Sequence, residues 1–185
     1  MAHSIELLLD PGSDARIRTT WSALAQAGLP SQERVTSSTN RPHVTLLAAQ
    51  RISPDVDDVL RPLAAHFPVA CVVGALLVFG GPPGRHRRSA SAAYTLARLI
   101  VPSAELLALH EEVYRLCLPY LFGEPFEHCR PGRWTAHATL GRRLTADEVG
   151  LAMTVVNAEG DDLPADVTGL RRWDSDGRVD HLLVG

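Results

Sequence analysis

The sequence carries no excess of basic charge. It has 18 Lys and Arg residues against 21 Asp and Glu, with a formal net charge of -3 and a pI near 6.2. Proteins that bind nucleic acid along an extended surface normally carry a basic field, so this charge argues against a general polyanion binder. A small anion-binding site is compatible with it.

Long apolar runs are also missing. The longest, Val69 to Phe79, is well short of the roughly 20 residues that a membrane helix needs, and no basic segment followed by an apolar one stands near Met1. We therefore expect a cytoplasmic protein without membrane contact. Hydrophobic residues make up 45% and charged residues 21% of the 185 residues, which predicts a single folded domain over 1–185 and, we expect, a monomer.

Cysteines are few, and glycine-rich phosphate loops are missing. Cys71, Cys117 and Cys129 are odd in number and irregularly spaced within apolar stretches, which predicts buried free thiols rather than disulfides or a zinc site. No loop of the GxGxxG or GxxxxGK[ST] type follows a predicted strand. Nucleotide binding of the Rossmann or P-loop kind therefore has no support.

Apolar periodicity, prolines and glycines predict strands and helices in similar number, which indicates an α+β or α/β unit. Ser13 or Asp14 is the expected cap of the first helix, and Thr145-x-x-Glu148 has the pattern of a capping box at the start of the last. The basic string Arg85 to Arg88 is expected in an exposed loop between two strands. The expected strands are 4–10, 41–49, 69–79, 92–101, 134–140, 167–173 and 179–184, and the helices run from about 13, 54, 103 and 145.

Two short strings of the same type carry the main functional signal. They are His43-Val44-Thr45-Leu46 and His137-Ala138-Thr139-Leu140, 94 residues apart and each within a predicted strand. A shuffled chain of this composition would contain only about 0.07 copies of H-x-T-L. The repeat therefore calls for an explanation beyond chance.

Strand geometry gives each string one polar and one apolar face. Successive side chains point to opposite sides, so each His shares a face with the Thr two residues later. A threonine hydroxyl can donate to a phosphoryl oxygen while an imidazole moves a proton. Two imidazoles, one as base and one as acid, are what phosphodiester chemistry without a metal requires.

On these strings the sequence resembles the two-histidine phosphoesterase superfamily, and within it the bacterial 2'-5' RNA ligase-like branch of RNA 2',3'-cyclic phosphodiesterases. The similarity extends to neighbouring residues and nearly the whole chain. It implies an α+β fold of two lobes related by a pseudo-twofold axis, each an antiparallel sheet flanked by helices, around a central cleft. The resembling segments are 41–46, 131–143 and 169–174; Ala136 departs from the proline that many relatives have before the second His.

The resemblance implies a metal-independent hydrolase without a cofactor, acting on 2',3'-cyclic phosphate ends of RNA or nucleotides and releasing a 2'-phosphate. His43 and His137 would be the catalytic pair, with His137 preferred as the base and His43 as the acid. Thr45 and Thr139 would bind the phosphate. The alternatives are another cyclic or 2'-5' linked nucleotide, such as ADP-ribose cyclic phosphate, reversible 2'-5' ligation, or RNA or nucleotide binding without turnover.

The sequence leaves two arginines open as the cationic phosphate ligand. The resemblance favours Arg142, five positions after His137, whereas strict alternation along the strand favours Arg143, with a β-bulge able to decide between them. Zinc is disfavoured because no third ligand pattern accompanies either His. His110 is expected to be a packing residue of its helix, and the aromatic residues Phe79, Tyr94, Trp134 and Trp173 are expected in the core rather than as base-stacking platforms.

Overall fold

The protein was analysed as a computed structural model that describes residues 2–80, 93–157 and 162–185. The predicted order of strands and helices is observed, with two additional short strands, and Arg85 to Arg88 lie outside the described residues. The elements are β1 (His3–Leu9), α1 (Pro11–Gln26), β2 (His43–Ala49), β3 (Arg51–Ile52), α2 (Val56–Leu60), β4 (Val69–Phe79), β5 (Tyr94–Val101), α3 (Ala104–Cys117), β6 (Leu121–Phe122), β7 (His137–Leu144), α4 (Ala146–Asn157), β8 (Leu163–Asp174) and β9 (Val179–Val184).

Seven strands form one antiparallel sheet in the order β1-β2-β7-β5-β4-β8-β9, and β3 pairs with β6 separately. β8 also pairs with β1, so backbone pairing runs continuously around six strands. The 12-residue β8 makes this closure, because its first part pairs with β4 and its later part with β1; Val167 lies opposite both Val69 and Leu9.

The expected α+β fold is confirmed, but the two expected sheets are joined into one. The strand-helix-strand unit β1-α1-β2 is followed by a second such unit, β5-α3-β7, and the two units meet where β2 pairs with β7. That junction is a single pair of residues, Val44 opposite Ala138. The pairing of β8 with β4 and β1 makes the second connection.

Helices cover the apolar side of the sheet in two pairs. α1 packs on β7 and β8 and against α4, while α3 packs on β2 and β4 and against α2. The apolar residues of the two H-x-T-L strings, Val44, Leu46, Ala138 and Leu140, are fully buried. Packing of this face therefore fixes which side of β2 and β7 remains for the polar residues.

The first helix begins earlier than expected. Asp10 is its cap, with Oδ1 accepting hydrogen bonds from the N–H groups of Gly12 (2.9 Å) and Ser13 (3.0 Å), so the prediction of Ser13 or Asp14 was wrong. Pro11 fits the first helical position because its missing N–H would have no partner there. The capping box of α4 is confirmed by reciprocal bonds between Thr145 and Glu148.

The three cysteines are free and buried, as predicted. Burial raises the pKa of the Cys71 thiol to about 11 and that of Cys117 to about 12, so these thiols stay protonated near neutral pH. Among the described residues, no helix is long and apolar enough to cross a membrane.

Candidate active site

The structure brings the two H-x-T-L strings together at the junction of β2 and β7. Val44 and Ala138 lie opposite each other in the antiparallel pair, and opposed residues point to the same side of a sheet. Because these two side chains face the core, the flanking polar side chains all face the other side. The residues that share this half-buried polar face are His43, Thr45, His137 and Thr139.

Both imidazoles are held by the same contact. Nδ1 of His43 lies 2.7 Å from the carbonyl oxygen of Arg41, and Nδ1 of His137 lies 2.7 Å from that of Thr135. A carbonyl only accepts, so each Nδ1 carries a proton and donates it. The Nε2 atom of each ring is thereby left to take up or release a proton.

Two tryptophans support the threonines in a matching way. The indole N–H of Trp134 donates to the carbonyl oxygen of Thr45 (2.8 Å), and that of Trp21 donates to the carbonyl oxygen of Thr139 (3.0 Å). Trp134 also stacks on the buried His110 with ring centroids 4.1 Å apart. His110 is thus a packing residue, as predicted, and the two indoles fix the strand backbone at the site.

A β-bulge in β7 decides which arginine shares the polar face. Ala97 lies opposite Thr139 and Thr95 opposite Arg142, with one extra residue of β7 inserted just after Thr139. Since residues two apart on β5 point to one side, Arg142 points to the side of Thr139. Arg143 has a positive φ of 66° and is the extra residue of a second register shift, between Arg142 opposite Thr95 and Leu144 opposite Tyr94. The geometry therefore places Arg142, rather than Arg143, beside the threonines.

The surroundings of His137 favour its neutral form. Burial, to which the Phe79 ring contributes with a centroid distance of 4.6 Å, is the largest influence lowering the pKa of His137. The charges of Arg142, His128 and His43 lower it further, while the hydrogen bond to the Thr135 carbonyl acts in the opposite direction. His128 lies in the short 3-10 helix Glu127–Cys129 and was not predicted, because no partner pattern accompanies it in the sequence.

A buried carboxylate lies next to His43 and was not predicted. Oε1 of Glu6 is 3.7 Å from Nε2 of His43 and accepts a hydrogen bond from the Ser4 hydroxyl (2.6 Å). Oε2 of Glu6 accepts bonds from Nε (2.8 Å) and Nη2 (2.7 Å) of Arg171. Arg171 also donates to Oδ2 of Asp180 (2.9 Å).

Glu6 is ionised in this setting. Burial alone raises the pKa of its carboxyl group, but the charges of His43 and Arg171 and the Ser4 hydrogen bond outweigh it and lower the pKa. One sequence signal was available, because Glu6 is the only charged residue among the apolar residues of β1. Its partner Arg171 is 165 residues away, which local patterns do not connect.

Potential metal ligands cluster elsewhere in the described part of the chain. The one group of three or more His, Cys, Asp or Glu side chains close enough to share an ion, within 2–80, 93–157 and 162–185, is His3 with Asp174 and Asp176. It lies at the start of β1 and the turn after β8 and includes neither His43 nor His137.

The family model of the 2'-5' RNA ligase superfamily matches residues 13–178. The chain belongs to this superfamily. The match confirms the resemblance to two-histidine phosphoesterases, and its bounds include both H-x-T-L strings. A search of curated proteins finds no match.

Solved structures show a similar fold. The chain is similar to Kluyveromyces marxianus Usb1 with uridine monophosphate (TM-score 0.53, 13% identity, covering 100% of this chain and 97% of that one). A second structure of Kluyveromyces marxianus Usb1 is similar with a TM-score of 0.52 and 13% identity, covering 100% of this chain and 98% of that one. These similarities support the fold alone. The substrate is inferred from the chemistry of the site.

Proposed function

We propose that this protein is a metal-independent phosphodiesterase that opens 2',3'-cyclic phosphate ends of RNA or of a smaller nucleotide and releases a 2'-phosphate. The observation that carries the proposal is the pair of histidines on adjoining strands, each fixed by an Nδ1 bond with Nε2 left for proton transfer. Membership in the 2'-5' RNA ligase superfamily supports phosphodiester chemistry on RNA.

The reaction needs one proton taken up and one released. Nε2 of neutral His137 accepts a proton from water as the water oxygen bonds to phosphorus. The bond between phosphorus and the 3' oxygen breaks, and Nε2 of protonated His43 donates its proton to that oxygen. The product has a 2'-phosphate and a 3'-hydroxyl, and a second proton exchange with solvent restores both imidazoles.

The same polar face offers ligands for the phosphate. The hydroxyls of Thr45 and Thr139 donate to the non-bridging oxygens, and the guanidinium of Arg142 balances the charge that grows on them in the transition state. Each Thr is held through its backbone carbonyl by a tryptophan. Fixed donors of this kind need no rearrangement as the charge develops.

A turnover assay tests the proposal. The purified protein is incubated with 2',3'-cyclic mononucleotides and with RNA ending in a cyclic phosphate, with EDTA present, and the position of the product phosphate is read by ³¹P NMR. We expect 2'-phosphate product at a rate unchanged by EDTA. The double variant His43→Ala with His137→Ala serves as the inactive control.

Other outcomes separate the alternatives. Loss of activity in EDTA, restored by zinc or manganese, would contradict the metal-independent mechanism. Joining of a cyclic-phosphate RNA to an RNA 5'-hydroxyl would indicate ligation, in which that hydroxyl replaces water as the nucleophile. Binding of nucleotides without turnover would indicate a non-catalytic role, and turnover restricted to ADP-ribose cyclic phosphate would change the substrate but not the chemistry.

A further inference from the structure

The two halves of the site share the H-x-T pattern, but the neighbouring strands β1 and β5 differ at the residue opposite the threonine. In the first half, Leu8 of β1 lies opposite His43 and Glu6 opposite Thr45. In the second, the residue of β5 opposite His137 is again a leucine, but the residue opposite Thr139 is Ala97. Glu6 therefore places a carboxylate beside one histidine where the corresponding position beside the other has a methyl group.

The buried network around Glu6 carries a net negative charge. It contains two carboxylates, Glu6 and Asp180, and one guanidinium, Arg171, which gives -1 in total. Glu6 and Arg171 are almost fully buried, at 4% and 3% exposure, so solvent screens their charges weakly. Since Nδ1 of His43 already donates to Arg41, Nε2 is the atom that faces this charge.

We propose that Glu6, held by Arg171 and Asp180, is a positioning residue that keeps His43 protonated and thereby makes it the general acid of the pair. An ionised carboxylate 3.7 Å from Nε2 attracts an imidazolium and repels the lone pair of a neutral ring. The assignment of the acid role rests on the phosphodiesterase function proposed above. It gives a structural reason for the division of labour between the two histidines.

The charged groups around the other histidine act in the opposite sense. His137 faces Arg142 on its own strand, His128 from the segment before β7 and His43 from β2, all of them cationic or able to become so. His43 faces Glu6 from β1 and His137 from β7, with Arg171 of β8 behind Glu6. The pair is thus biased toward a neutral His137 and a protonated His43.

The test replaces the carboxylate by its neutral amide. In Glu6→Gln, ¹H-¹⁵N NMR of the imidazoles is expected to show that His43 loses its proton at a lower pH than in the wild-type protein. The high-pH limb of turnover, where the acid loses its proton, is expected to fall by a similar amount, while the low-pH limb stays in place. The loss of turnover in Glu6→Gln is therefore expected to be larger at alkaline than at acidic pH.

Two further variants keep the result interpretable. Asp180→Asn removes the net negative charge of the network and leaves Glu6 in place. We expect the His43 titration and the high-pH limb of turnover to move in the same direction as in Glu6→Gln, but by less. Asp57→Asn is the matched control, because Asp57 is the carboxylate partner of Arg172, the residue next to Arg171 on β8. It weakens a similar ion pair away from His43, so neither the titration nor the pH profile is expected to move.

The proposal is overturned if the His43 titration in Glu6→Gln and Asp180→Asn is the same as in Asp57→Asn. It is also overturned if Glu6→Gln moves the low-pH limb instead of the high-pH limb. If the wild-type protein turns over no cyclic phosphate, the proposed function and the acid role fail together, whereas the NMR titration still decides whether Glu6 sets the charge of His43.

Discussion

A single backbone contact sets the tautomer of each catalytic histidine. Both Nδ1 atoms donate to the carbonyl two residues earlier, so the tautomer of each ring follows from the strand itself. With tautomer and face fixed alike, the difference between His43 and His137 comes from the burial of His137 and from the neighbouring charges. The charged neighbours are Glu6 beside His43 and Arg142 beside His137. They favour His43 as the acid and His137 as the base.

Replacement of either catalytic histidine is expected to abolish most turnover. His43→Ala or His137→Ala should lower kcat by roughly a hundredfold to ten thousandfold, because each removes one proton transfer. Thr45→Ala or Thr139→Ala should cost less, since each removes one hydrogen bond. The loss of kcat in the double His variant should be much smaller than the product of the two single losses, because the pair acts as a unit. Near wild-type kcat in His43→Ala, with His137→Ala inactive, would contradict the paired mechanism.

The two adjacent arginines provide a matched comparison. Because the Arg142 charge helps to lower the pKa of His137, Arg142→Gln should raise that pKa and move the low-pH limb of turnover to higher pH. Its KM should also rise, since a phosphate ligand is lost. Arg143→Gln, the control with the same loss of charge, should leave the low-pH limb and the KM unchanged. A larger effect from Arg143→Gln in the pH-rate profile would reverse the assignment.

At this scale the sequence predicted the four polar residues of the strings but not their environment. Strand alternation was enough to place each His with its Thr, because that rule is local. Arg142 required knowledge of a bulge, which depends on how β7 pairs with β5. Glu6 was missed because its partner Arg171 becomes a neighbour only when β1 pairs with β8.

The elements follow from local signals except where long-range pairing sets their ends. β4 has the predicted bounds Val69–Phe79, whereas β8 begins four residues earlier than the predicted 167, because its first residues pair with β4. β3 and β6, with two residues each, are too short to show any periodicity. The start of α1 was misplaced because Pro11 and Gly12 have the composition of a turn.

Asp10 links the start of α1 to β8, which makes its cap testable. Asp10→Ala should lower the free energy of unfolding by about 1 kcal/mol or more. It removes the carboxylate that accepts hydrogen bonds from the N–H groups of Gly12, Ser13 and Asp166 (3.0 Å for Asp166). Asp14→Ala should cost only a few tenths of a kcal/mol, as it breaks an exposed pair with Arg18. Urea unfolding at pH 7 measures both.

The pH dependence of this cap has a definite sign. Burial, the largest single influence, raises the pKa of Asp10, but the hydrogen bonds from Ser13, Asp166 and Gly12 together lower it overall. A lowered pKa in the folded protein stabilises above the ordinary value of 3.8, and this stabilisation is lost as pH falls below it. The difference between wild type and Asp10→Ala should therefore shrink in acid, and a constant difference from pH 7 to pH 3 would rule out the ionised cap.

On the scale of the whole molecule, β8 holds the two halves in register around the site. It pairs with β1 and β4, and its adjacent residues Arg171 and Arg172 both form buried ion pairs. Arg171 binds Glu6 beside the catalytic face, whereas Arg172 binds Asp57 of α2. One strand thus carries both an ion pair at the site and an ion pair to a distant helix.

The Arg172 pair is expected to dominate the stability of this connection. Nε and Nη2 of Arg172 donate to the two carboxylate oxygens of Asp57 at 2.7 and 2.9 Å, between residues 115 apart in sequence. Asp57→Ala leaves a buried guanidinium without its partner and should lower the free energy of unfolding by about 3–5 kcal/mol. Glu124→Ala, which breaks an exposed pair with Arg130, should cost under about 1 kcal/mol. Equal losses of unfolding free energy from the two variants in urea would mean that burial does not strengthen the contribution of the Arg172 pair to stability.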